Sequence, residues 1–144
     1  MDLTNIRTGT RVYLDANIWI YALEGYADFV ASLTELFTRI DAGDLIAVTS
    51  ELTLAEVLVK PIATDNATLQ QHYMEALEAS DSLLVIPVSK ALWIDAAALR
   101  ARNINLKLPD AVHAATAIAN GAHDFISNDA RFVSVSGLRV HTLK

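Results

Sequence analysis

RVYLDANIWI, residues 11–20, decides how the rest of the chain is read. Arg11–Leu14 is a short run rich in β-branched, aromatic and aliphatic side chains, the composition of a strand. Asp15 ends it, and from about Ile18 the apolar spacing turns helical. In open α/β sheets, ligands bind beyond the carboxyl ends of the strands, so an acid in this position points into the expected site. Asp15 or Asn17 equally suits the N-cap of the following helix, whose first backbone N–H groups lack partners of their own.

Outward from this stretch the chain keeps alternating strand and helix, which indicates an α/β domain with a mostly parallel sheet. A longer helix is predicted from Ala27 to Ala42 with Gly43 as its stop. Leu45–Thr49 reads as a strand, Glu51–Lys60 as a helix ended by Pro61, and Asn66–Ser80 as a further helix. Leu83–Val88 is a predicted strand and Lys90–Arg102 an amphipathic helix. Pro109 opens the next helix where a missing N–H costs nothing, and that helix runs to about Asn120 before Gly121. Phe125–Ser127 and Arg139–Thr142 supply the last two strands. With no repeat, linker or low-complexity stretch, residues 1–144 read as a single domain.

Composition narrows the function. The chain is 53% hydrophobic and 19% charged, the balance of a globular core. No apolar run approaches the ~18 residues of a membrane span, and MDLTNIRTGT lacks the apolar segment of a secretory signal. There is no cysteine, which excludes disulfides, thiolate zinc sites and a cysteine nucleophile. A cytoplasmic location is the expectation that suits these features. The net charge of −6 counts against a nucleic-acid binder that neutralises phosphates with side chains alone. That objection lapses if some acids hold divalent cations that cancel their charge.

Three further acids stand out. Glu56, in SELTLAEVLVKP, falls beside Leu52, Ala55 and Val59 on a helical projection. A carboxylate on an apolar stripe is costly unless compensated, by a metal or by an ion pair with Lys60 one turn on. Asp110 is the one acid of LPDAVHAATAIANG, a helix with no polar side and therefore expected to be buried. Its place in the first turn also suits the helix dipole, and His113, one turn later, reads as a core histidine. Asp129, in DFISNDARF, follows a strand beside Ser127 and Asn128, where it also suits a turn that caps Ala130–Phe132. Taken together, Asp15, Glu56, Asp110 and Asp129 can share one edge of the sheet. Such a cluster repels itself without cations, and its oxygen donors suit Mg2+ or Mn2+ and not zinc. Two such ions can activate water and stabilise the leaving oxygen of a phosphodiester.

At YLDANIWIYAL, TSELTLAEVL, LPDAVHAATAI and FISNDARF, in this order and spacing, the chain resembles the PIN-domain family, and within it the VapC-like toxins of toxin–antitoxin systems. The resemblance implies a three-layer α/β/α sandwich around a mostly parallel sheet of about five strands. It implies a divalent-metal-dependent endoribonuclease in which Asp15, Glu56, Asp110 and Asp129 are catalytic metal ligands and Asn17 and Ser127 are supporting polar residues. Water then attacks phosphorus, leaving a 5′-phosphate and a 3′-hydroxyl. It also implies a homodimer silenced by an antitoxin whose C-terminal segment enters the active-site groove. Trp19, Tyr21, Leu23 and Phe29 are candidates for the dimer surface, although the same side chains suit the core. Lys60, Arg100, Arg102, Lys107 and Arg131 are candidates to meet RNA or are simply solvated, and residues 101–108 form the expected substrate-side loop.

Other functions remain to be weighed against the nuclease toxin. A housekeeping PIN nuclease in RNA processing or decay would need no dedicated antitoxin. A binding module on the same fold would have no use for four inward acids. A haloacid-dehalogenase-type phosphatase wants an aspartate two residues after its nucleophile, where Asn17 stands. A phospho-acceptor receiver wants an early acidic pair and a late lysine, and neither is evident.

Overall fold

The computed structural model describes residues 3–143. Its strands are β1 (Arg11–Leu14), β2 (Ile46–Ser50), β3 (Leu83–Ile86), β4 (Asp124–Ile126) and β5 (Arg139–His141). Its α-helices are α1 (Ala16–Leu23), α2 (Val30–Asp41), α3 (Glu51–Ala63), α4 (Ala67–Ala76), α5 (Lys90–Arg102) and α6 (Leu108–Ala119). The strands form one sheet in the order β3-β2-β1-β4-β5, and every neighbouring pair is parallel. Parallel neighbours need long crossovers, which the helices supply.

Successive residues of a strand face opposite sides of the sheet, and β1 shows the consequence. Val12 and Leu14 enter a core with α1, α2, Val57 of α3 and Tyr73 of α4. Tyr13 enters the opposite core with α5 and α6, stacked on Phe125 of β4 at 5.0 Å between ring centroids. Helices cover both faces, so the molecule is a three-layer α/β/α sandwich. Each fully buried aliphatic side chain of this kind contributes about 1.5–3 kcal/mol, which is why the central strand is apolar on both sides.

Register then fixes the site. Strand order reverses at β1, which leads to β2 and β3 on one side and lies against β4 on the other. Ligand crevices form at such a switch point. Leu14 pairs with Ile126, so the next residues, Asp15 and Ser127, leave the sheet side by side.

Several predicted boundaries move, for physical reasons. Pro61 does not end its helix, because α3 continues to Ala63. Proline forfeits only its own N–H, and its carbonyl still accepts from Asn66 at 2.8 Å, so near a C-terminus the loss is small. The predicted helix from Ala27 begins instead as a 3-10 turn, Ala27–Phe29, with α2 starting at Val30. Tyr21 packs on both Tyr26 and Phe29 at 4.8 Å, which holds the chain tightly there. The helix predicted to reach Ser80 stops at Ala76, because Leu77 closes it and Ser80 bonds to Leu83. The third strand ends at Ile86, before Pro87, which has no N–H to give a ladder. Among the described residues no helix is long and apolar enough to cross a membrane.

Candidate active site

Asp15 sits where β1 gives way to α1 and is 5% exposed. Its two oxygens divide the work. One accepts from the Ile18 N–H at 3.2 Å, capping α1. The other accepts from the Ser127 hydroxyl. Burial pushes the Asp15 carboxyl above its ordinary range; the Ser127 bond, His113 and the cap oppose the shift, and the charge of Asp129 adds to it.

Ser127 is fully buried at the end of β4. While donating to Asp15 it accepts from the Asp129 N–H at 3.0 Å, so one hydroxyl ties two of the acids together. Asp129 opens the 3-10 turn Ala130–Ser134 and accepts from the Arg131 N–H at 3.0 Å. The Arg131 side chain adds further bonds to both Asp129 oxygens, at 3.0 and 2.5 Å, and these hold Asp129 below the usual carboxylate range. Asp110, in the first turn of α6, accepts from the Lys107 N–H at 3.0 Å and meets Arg131 at 3.2 Å. Its helix is buried without a break from Ala111 to Ala117, as its lack of a polar side predicted.

Glu56 corrects its helical projection. Ala55 and Val59 are exposed, and the buried face of α3 is Thr53, Val57 and Pro61. Glu56 lies between these faces, its side chain 35% exposed. Lys60 is not its partner but pairs with Glu24 at 3.2 Å. Glu56 instead meets Nε2 of His113 at 2.5 Å, and Nδ1 of the same ring lies 2.5 Å from the Tyr13 hydroxyl. Burial, with Asp15 and Glu56 nearby, pushes the Tyr13 phenol far up and keeps it a neutral donor. One arrangement satisfies all three groups: Tyr13 donates to Nδ1, and the Nε2 proton is donated to Glu56. His113 is buried, as a core histidine would be, yet it serves the site. The signal for it was present in the sequence, since a lone imidazole three residues after Asp110 shares its helix face.

These elements close around a cleft of about 240 Å³ lined by Asp15, Asn17, Glu56, Asp110, His113, Asp129 and Arg131. Asn17 contributes from an exposed position. The donors are hard carboxylate oxygens, chemistry that fits a small divalent cation. The side chains as they stand are not a ready-made metal cage: among the described residues no three acidic or histidine side chains are grouped to hold an ion. Two of the acids are bridged by a guanidinium and a third is held by an imidazole. Arg131 thus stands among the acids as a cation, and the carboxylates of the cleft fit a metal by donor type.

The other candidates separate clearly. Arg100 donates to the Leu106 carbonyl at 3.1 Å, which shapes the loop before α6, while Arg102 and Lys107 are exposed. Trp19 is buried against Phe37, and Tyr21, Leu23 and Phe29 are partly buried against the same core. Trp19, Tyr21 and Leu23 also line a larger apolar groove of about 630 Å³ with α2 and the end of α4.

The family model for the PIN domain matches residues 12–138. The chain belongs to the PIN-domain family. All four acids lie inside the matched span, and PIN domains are nucleases. Among solved structures, this PIN domain is similar to a chain of VapBC2 from Rickettsia felis bound to a DNA fragment from its promoter (TM-score 0.73, 19% identity, 94% of this chain and 100% of that one). A toxin–antitoxin complex from Klebsiella pneumoniae matches at TM-score 0.67 and 25% identity over 89% of this chain and 95% of that one. DNA-bound VapBC from Salmonella typhimurium matches at TM-score 0.64 and 16% identity over 92% and 98%. No curated protein matches significantly.

Proposed function

We propose that this PIN domain is a divalent-metal-dependent endoribonuclease and the toxin of a toxin–antitoxin pair, acting in the cytoplasm with Mg2+ or Mn2+. The observation that carries the reading is the convergence of Asp15, Glu56, Asp110 and Asp129, from four separate parts of the chain, on one cleft at the carboxyl edge of the sheet. At about 240 Å³ that cleft is smaller than the usual 300–1,000 Å³ of organic-ligand pockets, and it suits ions and a phosphate better.

In this reading the four carboxylates hold the metal. Bound there, it activates water and stabilises the leaving oxygen of the phosphodiester. The chain's own residues prepare the place. Ser127 and the Ile18 N–H fix both oxygens of Asp15, the start of α6 fixes Asp110, and His113 anchors Glu56 from below. Asn17, at the rim, supports the water and substrate side. No side-chain nucleophile is required.

The antitoxin half of the reading draws support from the complex of Klebsiella pneumoniae and from the apolar groove beside α1. A homodimer belongs to the same reading, with exposed Val59 and Ile62 on α3 as the surface it would cover.

The test is cleavage of total RNA with Mg2+, with EDTA, and by the Asp15→Asn and Asp110→Asn variants. Discrete cuts with metal are expected, none with chelator, and a loss of at least about 100-fold in each variant, since even outer-shell changes at metal sites cost 10–100-fold. Equal cleavage in EDTA removes the metal mechanism.

A further inference from the structure

Arg131 is the one lysine or arginine among the residues lining the acid cleft. Its Nη1 lies 3.2 Å from Oδ2 of Asp110, its Nη2 2.5 Å from Oδ2 of Asp129, and its Nε 3.0 Å from both Asp129 oxygens. A single planar fork therefore spans two of the four carboxylates. Repulsion between them is answered from within the chain.

The contact is built to open. Arg131 follows Asp129 by two residues on the same 3-10 turn, so this part of the pairing is local. The turn is anchored by buried Phe132, whose ring packs on Phe125 at 4.6 Å. The Arg131 side chain is 36% exposed, which leaves it room to swing into solvent while the turn stays in place. A divalent ion brings twice the charge of the guanidinium to the same oxygens.

We propose that Arg131 is a built-in occupant of the cation site. A divalent ion must displace it from Asp110 and Asp129, and the freed guanidinium then takes a phosphate of the RNA at the cleft mouth. The fork geometry that fits a carboxylate also fits phosphate. The inference rests on the metal-dependent reading above and adds an exchange to it. Arg131 opposes the ion before RNA arrives and holds RNA once the ion is in place. One side chain thus has two effects of opposite sign.

The experiment is calorimetric titration of Mn2+, without RNA, into the wild type, Arg131→Gln, Arg131→Lys and Asp15→Asn, each shown to be folded by its melting transition in EDTA. Arg131→Gln is expected to bind Mn2+ roughly tenfold more tightly than the wild type, the scale of one charge-assisted hydrogen bond that the ion no longer has to break. Arg131→Lys, with charge but no fork, should fall between. At saturating Mn2+ the KM for RNA cleavage by Arg131→Gln should rise, which a merely structural residue would not couple to tighter metal binding. Equal or weaker Mn2+ binding by Arg131→Gln, with binding still lost in Asp15→Asn, overturns the exchange and leaves the nuclease reading standing. Tighter Mn2+ binding with an unchanged KM overturns the phosphate contact. No Mn2+ binding by wild type or Arg131→Gln, with RNA cleaved in EDTA, overturns both readings.

Discussion

Each end of the parallel sheet buries an aspartate, and the two ends treat it in opposite ways. At the amino end of β4, Asp124 is 5% exposed and is met by Arg139 at 3.1 and 2.9 Å and by His141 at 2.8 Å. Burial alone would raise its pKa, but these bonds more than offset it, and the carboxyl is held below its ordinary range. At the carboxyl edge Asp15 is also 5% exposed but lies deeper in the protein, and it receives only a hydroxyl and a backbone N–H. There burial wins and the pKa rises. Three more acids stand nearby, sharing one guanidinium and one imidazole. One end therefore holds a closed ion pair and the other a surplus of negative charge. Surplus of that kind costs stability, and active sites are where proteins tolerate it.

The contrast is broken most forcefully at the closed end. Asp124→Ala should cost about 2–3 kcal/mol, the scale of charge-assisted bonds lost from a buried carboxylate, with RNA cleavage per folded molecule unchanged. Denaturant melts and specific activity measured on the same preparations check both halves. A smaller loss of stability accompanies a larger functional one at His113. His113→Leu takes away the acceptor of the buried Tyr13 O–H, at about 1–3 kcal/mol, and frees Glu56, with a fall in kcat of roughly tenfold as for other outer-shell partners at metal sites.

The finest distinction lies in pH. A raised carboxyl pKa penalises the folded state as pH climbs through and above the ordinary value near 4, and a depressed one confers stability that is lost as pH drops below it. Asp15→Asn should therefore gain on the wild type as pH rises above about 4, in metal-free buffer. The deficit of Asp124→Asn should shrink only as pH falls below about 4. Melting curves across acid pH separate the two, and parallel pH dependences would erase the contrast.

Much of this was legible beforehand. β1 and α5 fall on their predicted residues, because an apolar strand before an acid and a helical spacing such as Leu92, Ala96 and Leu99, all buried, are local signals. The burial of α6 followed from its composition, and the gathering of the acids from their places at strand ends and helix starts. What escaped was settled by contacts between distant residues. His113 and Tyr13 are 100 residues apart, and no local pattern announces their bond. Glu56 was misplaced because apolar Val59 is 67% exposed, and apolar residues are not confined to the interior. Arg131 stood out as a cation, but its bridge to Asp110 depends on how the turn Ala130–Ser134 docks beside α6.

An anomalous difference map from crystals soaked in Mn2+ addresses the central claim most directly. The account predicts a peak at the carboxyl edge of the sheet, with oxygens of Asp15 and Asp110 roughly 2.1 Å away, as for a small hard cation, and with Arg131 turned out of the cleft. Mn2+ bound only beside Asp124, or no peak near Asp15 at saturating Mn2+, would contradict it.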